Sequence, residues 1–82
     1  MTVREHLILF LDYHLTNNIR FKTHEIQELS ARSKAKFGRR LGSPETYTRQ
    51  FRDLRQAGLY YVDKIHTYGS NEKPWYVRSK DD

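Results

Sequence analysis

The 82-residue sequence contains no cysteine, and no apolar run approaches the roughly 18 to 20 residues that a membrane span needs. Without cysteine there is neither a disulfide framework nor a thiolate metal site, and a reducing compartment is permitted. The first residues, Met1 to Glu5, lack the basic-then-apolar order of a secretory signal. We therefore expect a cytoplasmic protein without a membrane segment, with one domain over residues 1–78 and a polar tail over 79–82.

Patterns that carry catalysis or bind metal are also missing. The four histidines do not fall in HxxxH or HExxH spacing, and the sequence has no glycine-rich phosphate loop, nucleophile motif or carboxylate pair. The sequence therefore predicts a non-enzymatic protein with no cofactor, no metal and no small-molecule substrate. The histidines are His6, His14, His24 and His66.

The positive charge is concentrated in the middle of the chain. Residues 32–58 hold eight Lys/Arg against two acids, whereas residues 1–31 hold three against four and residues 59–82 hold four of each. A focused basic patch is typical of a protein that binds a polyanion such as nucleic acid. A solvated charged face has the same composition, so charge alone leaves both interpretations open. The eight basic residues are Arg32, Lys34, Lys36, Arg39, Arg40, Arg49, Arg52 and Arg55.

A first helix is predicted from about Val3 to Leu15. Thr2 is a good N-cap, Glu5 completes a capping box, and Asn17-Asn18 ends the helix. Its core-facing stripe is predicted to be Val3, Leu7, Phe10 or Leu11, and His14. Other apolar residues extend this stripe beyond one face of the helix, which indicates either core on two sides or a surface for another copy of the chain. These residues are Ile8, Leu9, Leu11 and Leu15.

A short strand and a second helix are predicted next. Residues 19–21 alternate apolar, polar and apolar, and Thr23 then caps a helix over about His24 to Lys34. Its buried edge is predicted to be Ile26, Leu29 and Ala31. Residues 33–42 are predicted to form a basic connector, longer than a tight turn, that either contacts phosphate or is simply solvated.

The third helix has the clearest start. Ser43 is an N-cap, Pro44 sits at the first helical position, and the helix is predicted to run to about Gln56 before Gly58. Tyr47, Phe51 and Leu54 follow i, i+4, i+7 spacing and predict a core stripe, which turns Arg49 and Arg52 outward. A hairpin follows, with strands over 59–67 and 75–77 around a turn cluster.

This order of helix, strand, helix, helix, strand, strand, together with SPETYTRQFRDLRQAGLYYV over residues 43–62, resembles the winged helix-turn-helix family. The match to its recognition helix lies in Thr46 to Arg49, in Phe51 and Leu54, and in Ala57 to Leu59. The resemblance implies a mainly α fold with a small antiparallel sheet. It also implies that Ser43, Thr46, Thr48, Arg49 and Arg52 face DNA.

From the charge and the resemblance we expect a double-stranded-DNA-binding protein, associated with the nucleoid when bound. It would act as a small regulator of transcription or replication, and as a possible homodimer. Two alternatives stay open: an adaptor that docks on an acidic protein, and a binder of RNA or single strands. The expected DNA-binding residues are Ser43, Thr46, Thr48, Arg49, Arg52, Lys36, Arg39, Arg40, Lys64 and Lys73.

Overall fold

A computed structural model of the chain describes residues 1–58, 61–64 and 75–78. Three helices precede two strands, and the described chain is mainly helical. The predicted tail over 79–82 and the predicted turn between the strands lie outside the described residues. The elements are α1 (Val3–Asn17), α2 (Thr23–Phe37), α3 (Pro44–Gln56), β1 (Tyr61–Lys64) and β2 (Trp75–Arg78).

Helix α1 begins and ends with the signals that the sequence indicates. The Thr2 hydroxyl accepts a hydrogen bond from the Glu5 N–H at 3.2 Å, and the Glu5 carboxylate accepts one from the Thr2 N–H at 3.1 Å. These two bonds satisfy N–H groups that have no partner within the helix. Asn18 caps the helix in the left-handed conformation at φ 54°, and the last helical residue, Asn17, lies two residues beyond the predicted Leu15.

Helix α2 differs from the prediction at both ends. The N-cap is Lys22, not Thr23, and the Glu25 carboxylate accepts from the Lys22 N–H at 2.6 Å. Thr23 is the first helical residue, and its hydroxyl accepts from the indole N–H of Trp75 at 3.0 Å. The helix also continues past Lys34 to Phe37 and stops only at Gly38, whose φ of 79° suits glycine.

The prediction of a long basic connector over 33–42 was therefore wrong. Ser33 does not end the helix, because its hydroxyl finds a hydrogen-bond acceptor within the helix, the Ser30 carbonyl at 2.7 Å. Lys34 and Lys36 are helical, and the turn between α2 and α3 is confined to residues 38–43. Ala31, predicted at the buried edge of this helix, is exposed, and Ser30 occupies a buried position beside it.

Helix α3 has the predicted bounds, with Ser43 as its N-cap and Pro44 at its start. The stripe of Tyr47, Phe51 and Leu54 is buried, as predicted. From α1, Leu11 rather than Phe10 is fully buried, while Leu9 remains exposed. The buried apolar side chains form one core: Val3, Leu7, Leu11, Phe21, Ile26, Leu29, Tyr47, Phe51, Leu54 and Val77.

The two strands pair in antiparallel fashion, with Val62 opposite Val77 and Lys64 opposite Trp75. The predicted strand over residues 19–21 is reduced to a single bridge between Phe21 and Trp75, with N···O distances of 3.0 and 2.6 Å. This bridge ties the segment between α1 and α2 to β2. The sheet therefore covers the same core that receives the apolar stripe of α3.

Candidate nucleic-acid interface

The outer face of α3 presents two arginines, Arg49 and Arg52, to solvent. Their position follows from the helical period, because the stripe of Tyr47, Phe51 and Leu54 fills the opposite face. The exposed acids Glu45 and Asp53 share the helix, yet neither arginine forms an ion pair with any residue that the structure describes. Within the described part of the chain, both guanidinium groups therefore keep their donors available for an anion.

Arg55, the third arginine of this helix, has a different environment. Its guanidinium carbon lies 4.8 Å from the centroid of the Phe51 ring and 4.6 Å from that of the Trp75 ring. Burial, and secondly the charge of Arg52, lower the pKa of Arg55. Its Nε is buried without a hydrogen-bond partner among the described residues. Unlike Arg49 and Arg52, this side chain therefore lies against two aromatic rings, that of Phe51 in the core and that of Trp75 beside it.

The polar residues at the start of α3 mainly support the helix itself. The Ser43 hydroxyl accepts from the Thr46 N–H at 3.2 Å and lies 2.9 Å from the Thr46 hydroxyl. The Thr48 hydroxyl donates to the Pro44 carbonyl at 3.1 Å. Ser43 is exposed, while Thr46 and Thr48 are half-buried. The helix N-terminus offers the positive end of its dipole at this point, which favours an anion.

The turn before α3 is held by two buried serines of α2 that the sequence analysis did not single out. The Ser33 hydroxyl accepts from the Leu41 N–H at 3.0 Å, and the Ser30 hydroxyl donates to the Gly42 carbonyl at 2.5 Å. These bonds fix the turn against α2 immediately before α3 begins. The signal was present in the sequence, because Ser30 and Ser33 share the 3.6-residue period of Ile26 and Leu29.

A second buried polar contact joins α3 to α1. The Tyr47 hydroxyl lies 2.7 Å from Nδ1 of His6. Burial raises the pKa of Tyr47, which the side chain of Ser33 partly offsets, so the phenol stays neutral. Burial, and secondly the charge of Lys36, lower the pKa of His6. The Tyr47 hydroxyl thus joins α3 to α1 through one buried contact.

The basic residues around the turn fall on two different sides of α2. Lys34 and Arg40 line one cavity of about 430 Å³ together with Ala31, and Arg39 is exposed in the turn. Lys36 instead lines a groove between α1 and α2, and its Nζ lies 5.5 Å from the centroid of the Phe37 ring. The structure therefore brings Arg40 together with Lys34 and separates both from Lys36.

The two expected DNA-binding lysines of the predicted hairpin, Lys64 and Lys73, are placed only in part. Lys64 is the last residue of β1, and Lys73 lies outside the described residues. Among the residues that the structure does describe, no three His, Asp or Glu side chains come together as ligands for a metal ion.

No helix in the described part of the chain is long and apolar enough to cross a lipid bilayer. The exposed arginines of α3 and the exposed basic residues of the turn before it are indicated by both the sequence and the structure. The function of the chain has to be inferred from these residues, because no family model, curated protein or solved structure matches it.

Proposed function

We propose that this chain is a non-enzymatic winged helix-turn-helix protein that binds double-stranded DNA, and that it serves as a small regulator of transcription or replication. In this proposal α3 enters the major groove and the segment containing β1 and β2 contacts the DNA backbone. The element order of three helices followed by two antiparallel strands supports the winged-helix assignment. The organisation of α2, turn and α3 supports the helix-turn-helix part of it.

One observation carries the proposal: Arg49 and Arg52 are exposed and unpaired among the described residues, on a helix whose opposite face is core. Surface arginines commonly find a neighbouring carboxylate, and here Glu45 and Asp53 are within the same helix. Arginine is the side chain best suited to bridge O6 and N7 of guanine, and it also pairs with phosphate. The arrangement therefore favours a polyanionic partner over a purely structural role for these two residues.

The roles of the two arginines follow from their positions along α3. Arg49 lies within the first two turns of the helix, where a recognition helix meets base edges, and we assign it to a base. Arg52 lies one turn further on and is assigned to phosphate. Arg39 and Arg40 are exposed in the turn that Ser30 and Ser33 hold, and we assign them to further contacts with the DNA backbone.

The test is the affinity for duplex DNA measured by fluorescence anisotropy at several salt concentrations. The preferred site is first identified by selecting bound sequences from a library of DNA duplexes. Random duplex serves as the comparison. Arg49→Ala should cost about 1 to 3 kcal/mol on the preferred site and relax the preference at one base pair. Arg52→Ala should weaken every duplex alike and lower the log-log salt slope by about one unit.

A charge-matched control is available in Thr16→Glu/Gln27→Glu, which changes the net charge as much as Arg49→Ala/Arg52→Ala but at exposed positions of α1 and α2. The arginine double variant should lose far more affinity than this control, while both melt like the wild type. Wild-type affinity in a folded Arg49→Ala/Arg52→Ala protein would refute the proposal. Single-stranded DNA and RNA of the same sequence are measured in parallel, and tighter binding to either would move the assignment to that ligand.

If the wild type shows no salt-dependent binding to any nucleic acid, the proposal is also refuted. The exposed arginines would then favour the second interpretation of the basic surface, an adaptor for an acidic protein.

A further inference from the structure

A groove of about 270 Å³ lies between α1 and α2. Its apolar floor is formed by Phe10 of α1 and Leu29 of α2, and the exposed side chains of Leu9 and Tyr13 also line it. Its edge on the α2 side carries the cations Arg32 and Lys36. None of the proposed DNA contacts except Lys36 lines this groove, so the DNA-binding proposal leaves its apolar floor unexplained.

Two side chains of α1 stand at this groove with much of their surface in water. Leu9 is 48% exposed and Tyr13 is 58% exposed, and they lie one helical turn apart on the same face. A single exposed apolar side chain needs no explanation, but two neighbours beside an apolar groove form a contiguous patch. The molecule thus presents both protruding apolar side chains and a groove able to receive them on the same surface.

The charges beside the groove are also self-complementary, because an acid and a base lie next to each other. Glu28 and Arg32 are one turn apart on α2, with 52% and 68% of their side chains exposed, and their closest N···O distance is 3.9 Å. This surface pair contributes little to the isolated chain, because both groups remain hydrated. An acid and a base side by side on one helix face can exchange partners with the same pair of another copy, related by a two-fold axis.

We propose that the groove between α1 and α2 binds a second copy of this chain, so that the protein forms a symmetric dimer. Leu9 and Tyr13 of each copy enter the groove of the other, and Glu28 of each copy pairs with Arg32 of its partner. A typical stable interface buries about 800 Å² per partner. That area is about a seventh of the 5601 Å² surface of the chain, and a face made of two helices can supply it.

A second copy fits this surface better than a purely acidic partner does. An acidic segment would meet Arg32 and Lys36 favourably but would also meet Glu28, which a copy of the chain instead pairs with its own Arg32. The dimer does not depend on DNA binding. If both proposals hold, the assembly carries two copies of α3, as a protein reading two half-sites requires.

The first experiment is sedimentation equilibrium of the full chain in the absence of DNA. We expect a reversible monomer–dimer equilibrium for the wild type. Leu9→Glu should raise the dissociation constant at least about tenfold, because it places a charge in the apolar contact. Thr16→Glu adds the same charge at another exposed position of α1 and should leave the equilibrium unchanged.

The second experiment uses charge reversal and does not rely on any change in the core. Glu28→Arg and Arg32→Glu should each weaken self-association, because each places like charges across the two-fold axis. An equimolar mixture of the two variants should restore a dimer with one chain of each, since every arginine then meets a glutamate. This heterodimer would not arise from altered stability of either chain alone.

A wild-type chain that stays monomeric up to about 1 mM, at the weak end of specific binding, would overturn the proposal and leave the groove to a segment of a different protein. A dimer that withstands Leu9→Glu and both charge reversals would also overturn it, because such a dimer must use another surface. Because DNA is absent throughout, either result leaves the test of Arg49 and Arg52 unaffected.

Discussion

Replacing Tyr47 with phenylalanine removes one oxygen atom from the interior and leaves the shape of the side chain almost unchanged. That oxygen lies 2.7 Å from Nδ1 of His6. His6 is buried, so water cannot replace the missing hydroxyl without opening the core. Leaving a buried polar partner unsatisfied costs about 1 to 3 kcal/mol, whereas an exposed hydroxyl costs almost nothing to remove.

The cost is large relative to the stability of a small domain, which is typically about 5 to 15 kcal/mol. In a domain of this size 1 kcal/mol shifts the melting temperature by about 4 to 8 °C, so Tyr47→Phe should melt at least about 4 °C below the wild type. The matched control is Tyr13→Phe, which removes the same atom from a side chain that is 58% exposed, and both variants are melted at a concentration at which the chain is monomeric. Thermal melts followed by circular dichroism compare the two variants directly.

A double-mutant cycle with His6→Ala separates the hydrogen bond from other effects. Because the two side chains share one bond, the double variant should lose less than the sum of the single losses, with a difference of at least about 0.5 kcal/mol. Additive losses, or a Tyr47→Phe protein that melts within about 1 °C of the Tyr13→Phe control, would refute the buried link between α1 and α3.

Three further predictions concern stability. Phe51→Ala should destabilise the fold by about 3 to 5 kcal/mol in urea unfolding, because the ring packs against Phe21 and Trp75 with 2% exposure, and a loss below about 1 kcal/mol would contradict this. The lowered pKa of His6 means that the unfolded chain gains its proton first, so stability should fall as the pH drops below about 6.5, with a smaller slope in His6→Ala. Gly38→Ala should lower the folding stability by about 1 to 2 kcal/mol through backbone strain, since φ is 79° and the added methyl group meets nothing within 4 Å. An unchanged melting temperature would show that the turn relaxes.

Local signals in the sequence were sufficient to predict most of the helical structure. The capping box of Thr2 and Glu5, the left-handed stop at Asn18 and the Ser43-Pro44 start act over three or four residues. The period of Tyr47, Phe51 and Leu54 likewise predicts which face of α3 is buried and therefore which face carries Arg49 and Arg52. Such features depend on neighbours along the chain, so they can be predicted before the fold is known.

Tertiary contacts determine the features that these local sequence signals cannot predict. Ser33 looks like the start of a connector, yet α2 continues through it, because its hydroxyl serves both the Ser30 carbonyl and the distant Leu41 N–H. Arg55 has the same spacing and chemistry as Arg49 and Arg52, but it stacks on Trp75, twenty residues away in the sequence. Local sequence determines where a helix begins and which face is apolar. Which polar groups meet across the core depends on how the helices pack, because their partners are distant in sequence.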